Sequence, residues 1–396
     1  MKGKGSFHKA GIIFTVLCLC GIISFTIAEA TLRVLGISYP VFHTYDPIRG
    51  KALLAGKEGW YRSEGAAYIR INSAGFRDRE HTVEKKQGTY RIAILGDSYM
   101  EARQVELKDT FGQRLEDYLR SCTSPQYNEI EVLSFGQGGY STTDELLTLR
   151  HHVWPYKPDM VLTAIFHGND LVDNFPKINT CQGRECPDYR RPFYYWDEGQ
   201  LKLDSSFRNW TFESFKDRML LTGVQYSRTL EVLNKAMRVI NNWRVKQYTN
   251  FAFQETGLSE WVYAPPRSAL HHEAWAMTEG ILELLTEEIF AHHGEPFWAL
   301  VTNPSQIDPM QRRDLKERLG VDTLDYPEQR IMKLGGKLHV PVVPLVYAFQ
   351  KYVDEHQEYL HGFPNYRMGA GHWNEKGHDL AAHLVSEKVC AYLTTR

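Results

Sequence analysis

The sequence has almost no net charge, because 46 Lys and Arg residues stand against 48 Asp and Glu residues and give a formal net charge of -2. Proteins that bind nucleic acids carry a basic excess and recognisable motifs, and this chain has neither. Cysteine is scarce, with six in 396 residues, and no Cys/His cluster has the spacing of a zinc finger. The sequence therefore predicts no nucleic-acid partner and no metal site.

The N-terminus contains an uncharged run of 19 residues, from Ala10 to Ala28, which follows lysines at positions 2, 4 and 9. Such a run is long enough to cross a bilayer as a helix. Positive charge before it favours a cytoplasmic N-terminus and an extracytoplasmic remainder. We therefore predict a single-pass membrane protein. A cleaved signal peptide is the alternative, because small residues flank Glu29.

The rest of the chain divides into a short connection and one large domain. Residues 1–30 are the predicted anchor, and residues 31–67, with Pro40 and Pro47, are predicted to be a linker. Residues 68–396 form the main domain, interrupted by an insertion at about 175–267 where the strand–helix rhythm is lost. A hydrophobic content of 43% is enough for a substantial core.

Short apolar segments alternate with amphipathic helical segments through this domain. That alternation predicts an α/β fold, with a parallel sheet covered by helices on both faces. The final strand contains Pro341, which suits an edge position because proline cannot donate to a strand ladder. The five predicted strands are 91–95, 130–135, 160–166, 297–301 and 340–343. The main predicted helices are 110–120, 142–153, 273–292, 325–334 and 374–392.

Ser98 lies where the first strand gives way to a helix, after Gly96 and Asp97. Backbone N–H groups at a helix start favour negative charge, so this is a suitable place for a nucleophile whose reaction develops an oxyanion. The alternative is structural, with Ser98 as a helix cap and Asp97 as a turn residue.

Three further polar positions follow strands or precede the last helix. Gly139 lies in a glycine-rich turn, Asn169 follows the third strand, and His372 precedes the closing helix. The carboxyl ends of parallel strands share one rim, so these positions converge there with Ser98. The backbone N–H groups of Ser98 and Gly139 and the Asn169 amide are candidate oxyanion donors, and His372 is the candidate base. Individually, each residue is equally consistent with a turn, a cap or a surface histidine.

The ordered set resembles the SGNH (GDSL-like) hydrolase superfamily. The resemblance implies a flavodoxin-like three-layer α/β/α sandwich with a five-stranded parallel sheet in the order 2-1-3-4-5. It also implies esterase chemistry on acylated carbohydrates or lipids without a cofactor, with Asp97 and Asp170 in supporting positions. The matching blocks are Gly96-Asp97-Ser98, residues 136–139, Gly168-Asn169-Asp170 and His372-Trp373-Asn374.

The cysteines outside the apolar run are expected to face an oxidising compartment. Cys181 and Cys186 are close enough in sequence to close a small loop, which leaves Cys122 and Cys390 to pair by elimination. The strand order implied by the resemblance puts the first and last helices on one face, where these two cysteines can meet.

One departure concerns the acid that orients the histidine. The superfamily usually has Asp three residues before the histidine, and this chain has Gly369 there. A backbone carbonyl or a water would leave a Ser–His dyad, and loss of catalysis is a further alternative. A distant carboxylate is the remaining possibility, and the candidates are Asp308, Asp325 and Glu355.

The first functional hypothesis is a membrane-anchored serine esterase of the cell envelope. It would hydrolyse acyl esters, with acetyl first among them, on a carbohydrate or lipid through Ser98 and His372. An O-acyltransferase that acetylates a polysaccharide with the same residues is the second hypothesis. A catalytically silent glycan-binding or assembly protein on the same fold is the third.

Overall fold

The structure is a computed structural model that describes residues 4–122, 127–178, 180–181, 184–185, 191–209, 222–248 and 259–394. The chain divides into two compact units. Residues 1–42 and 211–252 form the first, and residues 43–210 and 253–396 form the second.

The elements of the described chain are as follows. The strands are β1 (His43–Asp46), β2 (Gly50–Leu53), β3 (Glu58–Tyr61), β4 (Ala67–Arg70), β5 (Thr89–Leu95), β6 (Glu129–Ser134), β7 (Met160–Ile165), β8 (Thr180–Cys181), β9 (Arg184–Glu185), β10 (Phe193–Asp197), β11 (Gln200–Asp204), β12 (Glu295–Leu300), β13 (Val342–Pro344), β14 (His361–Gly362) and β15 (Met368–Trp373). The helices are α1 (Lys4–Val34), α2 (Ser98–Glu101), α3 (Phe111–Leu119), α4 (Thr142–Thr148), α5 (His167–Asp173), α6 (222–226), α7 (Arg228–Tyr248), α8 (Ala269–Ala291), α9 (Pro304–Ile307), α10 (Pro309–Leu319), α11 (Tyr326–Leu338), α12 (Val346–His356) and α13 (Glu375–Thr394).

The centre of the second unit is a five-stranded parallel sheet in the order β13-β12-β7-β5-β6. Numbered along the chain, this order is 2-1-3-4-5, so the predicted topology is confirmed. Every residue of β5 and β7 is buried, as expected for strands covered on both faces. β13, which follows Pro341, is an edge strand.

Helices cover both faces of the sheet and make a three-layer α/β arrangement. Successive residues of β5 point to opposite faces, so Ile92 and Ile94 pack in one core while Ala93 and Leu95 pack in the other. The first core includes side chains of α3, α12 and α13, and the second includes side chains of α4 and α8.

A disulfide joins the end of α3 to α13. Cys122 and Cys390 have an S–S distance of 2.05 Å and a Cα–Cα distance of 5.6 Å, which confirms the predicted pair. The predicted Cys181–Cys186 bridge lies outside the described residues, because Cys186 is not among them.

Among the described residues of the first unit, one helix is suited to a membrane. The segment Gly11–Val34 of α1 is long and apolar enough to cross a bilayer, with a mean hydropathy of 2.4. Helix α7 belongs to the same unit, and Glu29 of α1 accepts hydrogen bonds from the backbone N–H groups of Arg228 and Thr229 at its start. A carboxylate there satisfies N–H groups that have no partner inside the helix.

Residues 43–67, predicted to be linker, are ordered structure. They form the β1–β2 hairpin and most of the β3–β4 hairpin, and they belong to the unit that contains the sheet. Gly50, Gly56 and Gly65 serve as turn residues in this segment, since all three have positive φ angles.

One predicted helix end is wrong, because the helix expected over 325–334 continues further. Gly335 does not stop α11, which continues to Leu338; a Cβ at Gly335 would lie 2.4 Å from Val342 Cγ2, so glycine is needed there for close packing. The capping box of α4 pairs Ser141 with Asp144, directly before and within the first turn of the predicted helix.

The predicted insertion does not stay in one unit. Of its described residues, 191–209 and 259–267 belong to the unit with the sheet, whereas 222–248 belong to the unit with α1. Within the former, β10 and β11 pair as an antiparallel hairpin.

Candidate active site

Ser98 is the first residue of α2, directly beyond the carboxyl end of β5. Asp97, rather than Ser98, caps this short helix, because its Oδ1 accepts a hydrogen bond from the Tyr99 backbone N–H at 2.9 Å. The Ser98 side chain is partly exposed. The helix-cap role that was the structural alternative for Ser98 therefore belongs to Asp97.

His372 reaches Ser98 from the other end of the chain. It lies on β15, and its Nε2 is 2.8 Å from Ser98 Oγ. The Tyr99 ring packs at 5.0 Å from the imidazole, between ring centroids, and helps to fix its plane. The predicted convergence of these two residues is present, across 274 positions of sequence.

The acid partner of His372 is Glu64, which sequence reasoning missed. Glu64 Oε2 is 2.7 Å from His372 Nδ1, and its Oε1 accepts the His372 backbone N–H at 2.6 Å. A carboxylate can only accept, so Nδ1 carries the proton and Nε2 presents its lone pair to the serine hydroxyl. The three residues therefore have the mutual geometry of a catalytic triad.

None of the carboxylates proposed from sequence has this role. Asp308 caps α10 through the Met310 and Gln311 backbone N–H groups, and Asp325 accepts the Tyr347 hydroxyl. Glu355 faces Lys351 on its own helix.

The turn of the β3–β4 hairpin holds Glu64 in place. Its neighbour Gly65 donates its N–H to Asn365 Oδ1 at 2.9 Å and accepts the Asn365 side-chain amide at 2.7 Å. Any Cβ at Gly65 would lie 2.2 Å from the Gln104 carbonyl oxygen, so only glycine permits this approach. The hairpin is thus tied both to the segment before β15 and to the segment after α2.

Electrostatics keep the Glu64 carboxylate negative. Burial alone would raise its pKa, but the hydrogen bonds and positive charge of His372 outweigh burial and lower the pKa below its usual value of 4.5. A fixed negative charge at Nδ1 favours the imidazolium that forms when His372 takes a proton.

Two backbone donors beside Ser98 have no acceptor within the described chain: the N–H of Ser98 and the N–H of Gly139. Gly139 is exposed and has a φ of 79°. The preceding residue, Gly138, lies against Ser98, because a Cβ atom added to Gly138 would be 3.5 Å from the Ser98 Cβ. The N–H of Gly138 is already donated to Glu101 Oε2 at 2.5 Å.

Asn169 lies at the start of α5, on the same rim. Its Nδ2 is 3.3 Å from Asp97 Oδ2, which brings the amide next to the residue that precedes Ser98. The predicted rim positions therefore lie around one serine.

The two supporting aspartates are buried behind this rim. Burial raises the pKa of Asp97 to about 6, against hydrogen bonds from the Tyr99 backbone and Asn169 that lower it. Burial and the nearby Glu145 carboxyl raise the pKa of Asp170, whose Oδ2 accepts the Phe166 backbone N–H at 3.0 Å. Through these hydrogen bonds, Asp97 holds the Tyr99 backbone N–H and Asp170 holds the Phe166 backbone N–H beside the site.

The order of the strands and the positions of Ser98, Gly139, Asn169 and His372 at one end of the sheet both agree with the prediction from sequence. The chain has the three-layer α/β fold, with the strand order 2-1-3-4-5, that the sequence resemblance implied.

Comparisons with known proteins give structural matches only. No family model and no curated protein sequence matches the chain. Axe2, an acetylxylan esterase from Geobacillus stearothermophilus, is 13% identical over 77% of this chain and 96% of its own, with a TM-score of 0.39. A lipase/acylhydrolase from Enterococcus faecalis is 14% identical over 76% and 96%, with a TM-score of 0.36. A GDSL-like lipase from Bacteroides thetaiotaomicron is 11% identical over 76% and 88%, with a TM-score of 0.33.

Glu64 takes the place of the aspartate that the SGNH superfamily usually has three residues before the histidine. Gly369 occupies that position with a φ of 76°, on the same strand as the histidine. No local sequence pattern marks Glu64, which is 308 positions away from His372.

Proposed function

We propose that the protein is a serine ester hydrolase in which Ser98, His372 and Glu64 form the catalytic triad. The observation that carries the proposal is the unbroken series of contacts from Ser98 Oγ to His372 Nε2 and from Nδ1 to Glu64. An imidazole held between a hydroxyl and a buried carboxylate is the arrangement that activates a serine.

The reaction follows from these contacts. His372 Nε2 takes the Ser98 proton as Oγ bonds to the ester carbonyl carbon, and the carbonyl oxygen becomes an oxyanion. The imidazolium, stabilised by Glu64, then gives its proton to the leaving alcohol oxygen as the C–O bond breaks. A water repeats the sequence on the acyl-Ser98 intermediate and releases the acid.

The oxyanion requires donors that are free before the reaction. The N–H groups of Ser98 and Gly139 meet that requirement. The Asn169 NH2 group has two N–H bonds, so one can face Asp97 Oδ2, 3.3 Å away, while the other donates to the oxyanion. Glu64 also weakens the case for a silent protein, because that case depended on Gly369 leaving His372 without a carboxylate.

We propose that the enzyme acts at the extracytoplasmic face of a membrane on acyl esters, with acetyl groups of carbohydrates or lipids as the first substrates to test. Retention of α1 as an anchor is supported by Glu29, whose contacts at the start of α7 would be lost if a signal peptidase cut beside it. The lysines before the apolar run favour the stated orientation.

The test uses the full chain in detergent or liposomes with a fluorophosphonate probe and p-nitrophenyl acetate. We expect labelling and acetate release in the wild type and in Ser121→Ala, which removes an exposed hydroxyl, and neither in Ser98→Ala. Labelling that persists in Ser98→Ala would contradict the proposal. Adding an oligosaccharide acceptor then separates the alternatives, since an O-acyltransferase would pass the acetyl group to sugar instead of releasing acetate.

A further inference from the structure

A lysine from the β1–β2 hairpin contacts the turn that follows β6. Lys51 Nζ donates a hydrogen bond to the Gly138 carbonyl oxygen at 2.9 Å. The same ammonium is 3.5 Å from the position of an added Gly139 Cβ. Among the described residues, this carbonyl is the only hydrogen-bond acceptor of the Lys51 ammonium, so the ammonium is directed at this peptide group.

The carbonyl of Gly138 and the N–H of Gly139 belong to the same peptide group. A cation on the carbonyl oxygen draws electron density through the conjugated amide and makes its N–H a stronger donor. The Gly139 N–H is one of the proposed oxyanion donors. We infer that Lys51 is a positioning residue that polarises the Gly138–Gly139 peptide toward the oxyanion, an inference that rests on the proposed function.

The hairpin holds the turn through groups other than the ammonium. The Lys51 carbonyl oxygen accepts the Gln137 side-chain amide at 3.2 Å and the Tyr140 hydroxyl at 3.0 Å. The Leu53 N–H donates to Gln137 Oε1 at 3.1 Å. Because these contacts use the backbone of the hairpin, removal of the ammonium leaves the turn attached.

The charge of Lys51 can be changed by pH. Burial lowers its pKa from the usual 10.5, and the cations of Arg103 and Arg191 lower it further, while the carboxylates of Glu101 and Asp144 raise it. The net shift is downward, so the ammonium loses its proton at a lower pH than an exposed lysine. The loss would weaken the oxyanion donor.

The test compares Lys51→Met, Lys51→Arg and wild type for hydrolysis of p-nitrophenyl acetate, a neutral substrate that a lysine has no reason to attract. Lys333→Met, at an exposed position on α11, is the control for loss of one positive charge. We expect kcat to fall about 10-fold in Lys51→Met with KM unchanged, because the effect is confined to the transition state. Lys51→Arg should recover most of kcat, and Lys333→Met should equal the wild type.

The pH profile provides a second readout. The alkaline fall of kcat in the wild type should be absent from Lys51→Met and should move to higher pH in Lys51→Arg. An unchanged kcat in a folded Lys51→Met, or a change in KM alone, would overturn the inference while the Ser98-dependent activity of the wild type stands. If Lys51→Met does not fold, the test is the pH profile of kcat for Lys51→Arg. An alkaline fall of kcat at the same pH in Lys51→Arg and in the wild type would overturn the inference. A wild type without Ser98-dependent activity would instead refute the proposed function.

Discussion

Replacing Glu64 by Gln tests the triad with the smallest change in shape. Both oxygens of Glu64 accept, one from Nδ1 of His372 and the other from the His372 backbone N–H. Glutamine has one oxygen and one NH2 group, so it can match only one of these donors. If the backbone N–H keeps the oxygen, the NH2 group faces Nδ1 and selects the tautomer in which Nε2 carries the proton. That Nε2 can no longer take the proton of Ser98.

The expected loss is large, because the tautomer and the stabilising charge are both affected. A comparable Asp→Asn change in a serine protease triad lowers kcat by about 10⁴. We expect Glu64→Gln to lower kcat by about 10³ to 10⁴, which corresponds to about 4 to 5.5 kcal/mol of transition-state stabilisation. The assay is steady-state hydrolysis of p-nitrophenyl acetate, with the rate of fluorophosphonate labelling as a second measure.

The matched control is Glu58→Gln, which removes an exposed carboxylate from β3 of the same hairpin. It should keep the wild-type rate within about twofold, since surface ion pairs contribute little. A folded Glu64→Gln protein with a rate within threefold of wild type would refute the assignment of Glu64 as the acid partner.

Three further changes test other parts of the account. Asn169→Ala should lower kcat about 100-fold if its amide binds the oxyanion, and a near-normal rate would remove it from the site. The double variant Cys122→Ala/Cys390→Ala should lose up to about 5 kcal/mol of unfolding free energy in urea, because the bridge closes a very long loop; an unchanged midpoint would contradict the bridge. Burial raises the pKa of Glu328 to about 7, so the stability that its neutral form contributes is lost as the pH rises through 7, by on the order of 1 kcal/mol between pH 6 and 8.5. Glu328→Gln should lack that part of the pH dependence in urea titrations at both pH values, and an identical dependence would show that Glu328 does not titrate there.

The fold could be predicted because its signals are local. Each central strand is a short apolar run between turn residues. The order of the four sequence blocks around Ser98, Gly139, Asn169 and His372 resembles that of a known superfamily, and the resemblance implied the strand order. β5, for example, was located by the run that ends at Leu95, and its neighbours by similar runs. Ends of elements were less accurate, since Gly335 has a packing reason that only the contact with Val342 reveals.

The candidate site was predictable only where its residues follow core strands. Ser98 and Asn169 follow strand ends, and Gly139 lies in a turn just beyond one, so the topology alone brings them to one rim. Glu64 comes from a short hairpin that has no apolar run and was interpreted as linker. Its role depends on contacts with residues about 300 positions away, such as Asn365, and no pattern within the hairpin encodes those contacts.

The most direct test of the central claim is to trap the acyl intermediate. The full chain is mixed with p-nitrophenyl acetate, quenched during the first turnover, digested and analysed by mass spectrometry. The account predicts an acetyl group on Ser98 in the wild type and its absence from His372→Ala. Turnover by the wild type without acetylated Ser98, or with the acetyl group on another residue that persists in Ser98→Ala, would contradict it.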